Sequence, residues 1–534
     1  EEVSLPAGAP PEWLPDGRTI VACLVLEDRG PEPAAPTVPE GPIVQENIGR
    51  TTPARTYTDL LDDPYDESLF DYYMTTQLAK ISLDGVVSSL GKPAVIRGFD
   101  PSPDGQYLLV WMNHRPYSYV VPSYRFPERI EVWGMDGELV HTLADLPLKD
   151  QIPIAHGSTS TGPRRASWRA DAPSTLFWVE ALDGGDGRVE TELRDRAYTL
   201  PSPFDSEPAE LLTMGLRFSD VMWGHEELAI VEEYWWSDRM IRWWKVAPGS
   251  PEAEPEPLQE YSWQDRYNDP GAPMMVRNEY GRRVLLTADD AHTIFLVGDG
   301  ASPEGDRPFL DAFDTYHKET DRLFRSEAPY YERPTLVMNK DARKVITRRE
   351  SVDEVPNYFM RDLADGTMRQ LTFFPHPTPQ LVGIQKEQIR YKRADGIDLT
   401  ATLYLPKGYE PERDGPLPML MWAYPREFVS ADAAGQVDDS PYRFDYIGWW
   451  SPALWLTQGY AALDGPTMPI IGEEGAQPND TYVEQLVASA QAAVDEVVRR
   501  GVTDRHRIAI GGHSYGAFMA ANLLAHSDLF AAGL

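Results

Sequence analysis

Gly512-His513-Ser514-Tyr515-Gly516 is the segment whose residue types and spacing can do chemistry. A serine with glycine two positions away on either side suits a strained strand-to-helix turn. Only residues without side chains let the flanking backbone close in, and the turn lifts the hydroxyl clear of the sheet. It also aims the N–H of Tyr515 at the place where an oxyanion forms during acyl transfer. Five residues alone are a weak pattern, and the plain alternative is a Gly-rich turn with a capping serine. The context favours a nucleophile: the apolar run Arg507 to Ile510 precedes the turn and the Ala-rich run Ala517 to His526 follows it. The sequence has no H-E-x-x-H, no C-x-x-C and no Gly-rich phosphate loop. Serine acyl transfer needs neither metal nor cofactor, and none is expected.

The elements around the turn read as an α/β layer. Leu417 to Tyr424 is a continuous apolar run, as in a buried strand. Gln388 to Lys392 and Leu399 to Leu405 alternate around the turn Ala394-Asp395-Gly396. Trp449 to Thr457 suggests a helix and Tyr460 to Leu463 a short strand. Thr481 and Glu484 have capping-box spacing, and Val483, Leu486, Val487, Ala490, Val494 and Val497 form one face of the helix that follows. Gly501 marks its end. Strand alternating with helix predicts an α/β layer with a mostly parallel sheet over 387–534.

Residues 1–375 read differently. Short runs rich in Val, Ile, Tyr, Trp and Phe are broken by Gly, Pro and Asp turns, with no long helical stripe. A polar turn before a strand recurs at Asp16-Gly17, Asp104-Gly105, Ala170-Asp171, Trp223-Gly224, Tyr280-Gly281 and Lys340-Asp341. Beyond the first gap the spacing is roughly 50 to 70 residues, which fits blades of a β-propeller, expected to number seven, better than tandem β-sandwiches. The longer first gap holds a Pro-rich, acidic insertion at 31–71. Pro375, Pro377 and Pro379 place a linker at 376–386.

Composition narrows the function. The 534 residues carry 84 acidic and 49 basic side chains, a formal net charge of −35. Such a chain repels phosphate backbones, which argues against nucleic-acid partners; solubility is the simplest reason for the charge. The one cysteine, Cys23, excludes an intrachain disulfide. No apolar run reaches the roughly 18 residues of a membrane span.

From about residue 385 the chain resembles the catalytic domain of the prolyl oligopeptidase family of serine peptidases, and most nearly its glutamyl endopeptidase branch, known from chloroplasts and bacteria. The segments that carry the resemblance are Trp422-Ala423-Tyr424-Pro425 with Phe428 to Val437, Pro469-Ile470-Ile471-Gly472-Glu473, Pro478-Asn479-Asp480, Val483 to Leu486, Gly511 to Phe518 and Asn522 to His526. The resemblance implies a hydrolase gated by a propeller, with the N-terminal part of an α/β-hydrolase catalytic domain over 387–534, and peptides as partners. It implies Ser514 as nucleophile, the Tyr515 N–H as one oxyanion donor and the Tyr424 hydroxyl as the second. It also implies Glu, or less readily Asp, before the cleaved bond, and such a carboxylate calls for an arginine fork. Arg426 is the candidate in the catalytic region; Arg164, Arg165, Arg239 and Arg242 are others in the propeller. Glu232-Glu233 resembles the glutamate pair with which related exopeptidases hold an amino terminus, but it continues an apolar strand. A dipeptidyl- or acylaminoacyl-peptidase, an esterase and a catalytically dead binding propeller remain as alternatives.

One departure stands out. In this fold the triad runs Ser, then Asp or Glu, then His along the chain. After Ser514 come only 20 residues, with His526 and Asp528 among them. A helix rises 1.5 Å per residue, so His526 would lie roughly 15 Å or more from the serine. His114, His141, His156, His225, His292, His317, His376, His506 and His513 all precede Ser514. The expectation is therefore that the triad acid and base lie outside this chain, on a missing C-terminal part or a separate polypeptide, and that the chain alone is inactive. The sheet would then keep an open apolar edge.

Overall fold

A computed structural model describes residues 10–37, 55–472 and 475–534. Part of the expected insertion and Glu473 lie outside these residues. The chain divides into two compact units. The first comprises Glu1–Ser237, Ile241–Glu260 and Met275–Leu285; the second comprises Asp238–Met240, Tyr261–Met274 and Leu286–Leu534.

Up to Gln370 the sheets are antiparallel, one of seven strands, four of four and one of two, and four strands is the unit from which propeller blades are built. Counting the seven-stranded sheet as two units that share a strand, six four-stranded units occur among the described residues. The first two are fused through one long strand, Val87–Pro101. Its start pairs with Thr75–Ser82 and its end with Tyr107–Asn113, and Val95 faces both neighbours. The strands of these units include Glu128–Gly134, Thr175–Ala181 and Met240–Val246. The Asp-Gly turns work because Gly17, Gly85, Gly105, Gly137 and Gly366 take positive φ, which glycine does without penalty.

Among the described residues of this half the all-β expectation fails at one α-helix, which begins inside the insertion. Pro64–Met74 is a helix, capped by the Asp63 carboxylate, which accepts from the N–H groups of Tyr65 and Asp66. None of its residues is fully buried, so no apolar stripe announces it; the signal was the Asp-Pro start.

The first unit also explains Glu232 and Glu233. Glu233 is fully buried and accepts from the Leu216 N–H at 2.6 Å and the Trp244 indole at 2.9 Å. Glu232 accepts from the Trp243 indole at 2.9 Å. Both carboxylates fasten the blade's tryptophans.

In the second unit a six-stranded sheet follows the segment of prolines. In spatial order its strands are Gln385–Lys392, Asp398–Leu405, Ala461–Asp464, Leu417–Trp422, Thr503–Gly511 and Ala532–Gly533. The first two form the antiparallel hairpin that the sequence predicts. From Ala461–Asp464 onward all pairings are parallel. The helix Tyr482–Arg499 covers this sheet with Leu486, Ala490, Ala493, Val494 and Val497. Those positions recur at helical spacing, and each buried Leu or Val contributes roughly 1.5–3 kcal/mol.

Two local expectations need correction. Thr481 forms no capping box: Pro478–Thr481 is a 3₁₀ turn that runs directly into the helix, and Asn479 C=O takes the Tyr482 N–H. Proline at the head of that turn presets its φ, so the helix needs no side-chain cap. Gln485 instead pins the preceding strand, accepting from the Ile471 N–H at 2.9 Å and donating to its C=O at 2.8 Å. The helix expected from Trp449 starts only at Pro452, as a 3₁₀ segment to Gln458. Ser451 caps it and Gly459, at φ 79°, ends it.

Where the sheet meets a layer of polar groups, burial and then the Asp445 carboxylate push the Asp464 carboxyl up to about 6. The folded state holds that proton more tightly than an unfolded aspartate, whose ordinary value is 3.8. Its effect on stability is therefore favourable at low pH and is lost as pH rises from about 4 to about 6. Asp464→Asn is expected to raise the melting temperature at pH 7 and leave it unchanged at pH 4. The gain corresponds to at most about 3 kcal/mol. Equal shifts at both pH values would refute this.

Candidate active site

Two parallel neighbours build the site. Leu417–Trp422 runs beside Thr503–Gly511, with Met421 opposite Ile510 and Trp422 opposite Gly511. Both strands deliver their carboxyl ends to the same edge, where α/β sheets hold their ligands. The first strand continues into Ala423-Tyr424. The second breaks at Gly512 into the turn that starts the helix Tyr515–His526.

Ser514 sits at the crest with φ 56° and ψ −117°. A side-chain-bearing residue is rarely held there, at a cost of order 1–3 kcal/mol, and such strain marks functional positions. The turn is closed by Gly516 N–H to His513 C=O at 2.8 Å and by Ala517 N–H to Ser514 C=O at 3.0 Å.

The glycines are required by close approach. A Cβ on Gly512 would meet the Gly516 carbonyl carbon at 2.5 Å and the Ala423 oxygen at 2.8 Å. On Gly516 it would meet the Ala423 oxygen at 2.6 Å. On Gly511 it would meet the Trp422 ring at 2.7 Å. The elbow is thus packed, backbone on backbone, against Ala423-Tyr424. This is why a motif near the end of the chain and an apolar run 90 residues earlier form one site.

Tyr424 and Tyr515, the two expected oxyanion donors, flank the elbow. Tyr515 is the first residue of its helix, so its N–H has no carbonyl within that helix to bond. The Tyr424 ring lies edge-on to the Tyr515 ring, centroids 6.0 Å apart, and half of Tyr424 is exposed. Arg426 lies two residues further on, in the short strand Pro425–Phe428. Its guanidinium is largely exposed and pairs with Asp438 at 3.0 Å. Of the other arginines, Arg242 pairs with Glu260 at 2.7 Å, and Arg239 is buried with its guanidinium 5.8 Å from the Trp263 ring.

The structure also gathers residues that the sequence had not marked as one group. The Tyr515 hydroxyl lies 3.3 Å from Glu427 Oε1 and 3.2 Å from Asn479 Oδ1, and Asn479 Nδ2 donates to the same Glu427 oxygen at 3.0 Å. Gln264 holds the Glu427–Val429 backbone, donating to Glu427 C=O at 2.7 Å and accepting from Val429 N–H at 3.1 Å. Burial, with Tyr482 and Glu427 nearby, raises the Tyr515 phenol well above its ordinary value, so it stays a donor at neutral pH. Asn479 and Tyr515 stood in separate recognisable segments; Glu427 carried no signal, since a lone glutamate after a strand reads as surface.

His513 is exposed beside the serine, and His526 ends the far side of the helix. Among the described residues no group of three His, Cys, Asp or Glu could hold a metal, and no helix is long and apolar enough to cross a membrane.

A serine at positive φ between a parallel strand and a helix, with glycines packed against the neighbouring strand end, has the backbone geometry of the α/β-hydrolase elbow. Comparisons carry this further. Residues 479–534 match the prolyl oligopeptidase family. Proteins named probable glutamyl endopeptidase, chloroplastic, from Oryza sativa subsp. japonica and Arabidopsis thaliana are each 47% identical over 98% of the chain. The chain spans 57% and 56% of their lengths. Two solved structures share the fold at 14% identity, each with a TM-score of 0.51. One is an acylaminoacyl peptidase in complex with Z-Gly-Gly-Phe-chloromethyl ketone, covering all of this chain and 69% of that one. The other comes from an analysis of two prolyl endopeptidases and covers 86% and 60%. The prolyl oligopeptidase family match thus lies on the segment that carries the elbow, and the likeness to the two relatives runs through nearly the whole chain.

Proposed function

We propose that the protein is a serine peptidase that cleaves after Glu, and less readily after Asp, through an acyl-enzyme on Ser514. The observation that carries this is the backbone of Ser514, held at φ 56° and ψ −117° by glycines that no larger residue could replace. The Ser514 hydroxyl adds to the scissile carbonyl, and its proton passes to a base. The Tyr515 N–H and the Tyr424 hydroxyl take the developing oxyanion. Collapse expels the amine and leaves the ester, which water then hydrolyses. The acid and base are assigned to residues outside this sequence, which spans 57% and 56% of the two relatives' lengths. The propeller half is assigned the role of limiting entry to short or unfolded peptides. Support for the acidic preference comes from the two relatives named glutamyl endopeptidase.

The test is a panel of blocked fluorogenic peptides on the full-length protein, differing only in Glu, Asp, Gln or Phe before the cleaved bond. Glu is expected to exceed Gln in kcat/KM by about 10²-fold or more, as expected when a buried charge partner is left unmatched. Tyr424→Phe is expected to lower kcat by about 10²-fold on every peptide. Equal rates for Glu and Gln would overturn the acidic preference. A strict need for a free amino terminus would overturn the endopeptidase reading.

A further inference from the structure

Arg164 and Arg165 are not absorbed by the active site. In the first unit they line a cavity of about 440 Å³ together with Arg97, Lys149, Glu128 and Trp111. Four of these six side chains are cations and one is an anion, in a chain with a net charge of −35. Composition alone would make this cavity acidic.

The fold supplies too few carboxylates to neutralise it. Glu128, nearly buried, serves two cations: it accepts from Arg97 and from Lys149 Nζ at 2.9 Å. Asp195, fully buried, is likewise shared by Arg164 and by Arg217 at 2.6 Å. The buried Nε of Arg164 has no hydrogen-bond partner among the described residues. Arg165 makes no ion pair among them, is exposed, and sits at φ 56° in an irregularity of the strand pairing between Arg164 and Ser167. Four cations held together repel one another, and a non-glycine residue at positive φ is strained; a structure that keeps both has a use for them.

We infer that this cavity is a binding site for the carboxylates of an acidic peptide segment. Guanidinium forks match carboxylates two oxygens at a time, and Trp111 offers an apolar wall to the methylenes of a glutamate. The volume is that of a small-ligand pocket and admits one or two side chains rather than a folded surface. A polyphosphate fits less well, because the chain's field repels it in proportion to its charge. Binding here needs no nucleophile, so the inference goes beyond the peptidase reading and stands or falls separately from it.

The experiment is calorimetric titration of the full-length protein carrying Ser514→Ala, which prevents turnover. The probes are acetyl-Glu-Glu-amide, acetyl-Gln-Gln-amide and inorganic phosphate at low salt. The acidic peptide is expected to bind, and the glutamine peptide is not. Arg165→Gln is expected to weaken the acidic peptide at least 10-fold; being exposed, it leaves folding intact. Arg188→Gln, at an exposed arginine of the same unit outside the cavity, is expected to change binding less than 2-fold. The inference is overturned if the acidic peptide does not bind, if Arg165→Gln binds it as well as the parent does, or if Arg188→Gln weakens it equally. Phosphate binding as tight as the peptide's overturns it too, by making the cavity a general anion site.

Discussion

Ser514→Ala is expected to lower kcat of the full-length protein by about 10⁶-fold, because the acyl-enzyme has no other oxygen on which to form. KM is expected to change little, since peptide binding does not pass through the hydroxyl. Stability separates this from a folding defect. Alanine keeps a Cβ at φ 56°, so Ser514→Ala retains the strain of the turn. Ser514→Gly removes it and is expected to be more stable than the alanine variant by about 1 kcal/mol while equally inactive. Thermal denaturation of the two variants beside the parent checks this. A glycine variant less stable than the alanine variant would mean that the turn carries no strain.

Gly516→Ala is the second large effect. Alanine in place of glycine ordinarily stabilises a helix by about 1 kcal/mol. Here the sign reverses, because the new methyl would stand 2.6 Å from the Ala423 carbonyl oxygen. That oxygen belongs to the backbone at the end of the central strand, so relief requires the elbow and Ala423-Tyr424 to move apart. A loss of about 3 kcal/mol is expected from such overpacking. The same movement separates Tyr424 from Ser514, so kcat/KM is expected to fall about 10²-fold, the cost of a catalytic group misplaced by about 1 Å. Urea unfolding and the substrate panel measure the two consequences. Parent-like stability would show that the backbone contact yields cheaply.

The site was legible where its demands are local. The glycines around Ser514 and the apolar strand Leu417–Trp422 are short-range patterns with one physical meaning, and the structure sets them side by side. Blade turns such as Asp16-Gly17, Asp104-Gly105 and Tyr280-Gly281 were legible for the same reason: each holds a glycine at positive φ. Features that depend on tertiary partners were not. Thr481 has a capping residue's chemistry, but the turn begun by Pro478 takes over the helix start. The bond from Asn479 to Glu427 joins residues 52 positions apart and left no periodic trace. Arg426 had the right type and neighbourhood, yet its guanidinium is turned to Asp438 at the surface. The fusion of the first two meanders through Val87–Pro101 was hidden because a strand's length is set by its partners.

The central claim is that Ser514 is an activated nucleophile. The most direct measurement is fluorophosphonate labelling of the native full-length protein, followed by peptide mapping of the adduct by mass spectrometry. The account predicts one stoichiometric adduct, on Ser514, lost on denaturation before labelling and absent from Ser514→Ala. An unlabelled native protein that still cleaves peptides, or an adduct on a different serine, would contradict it.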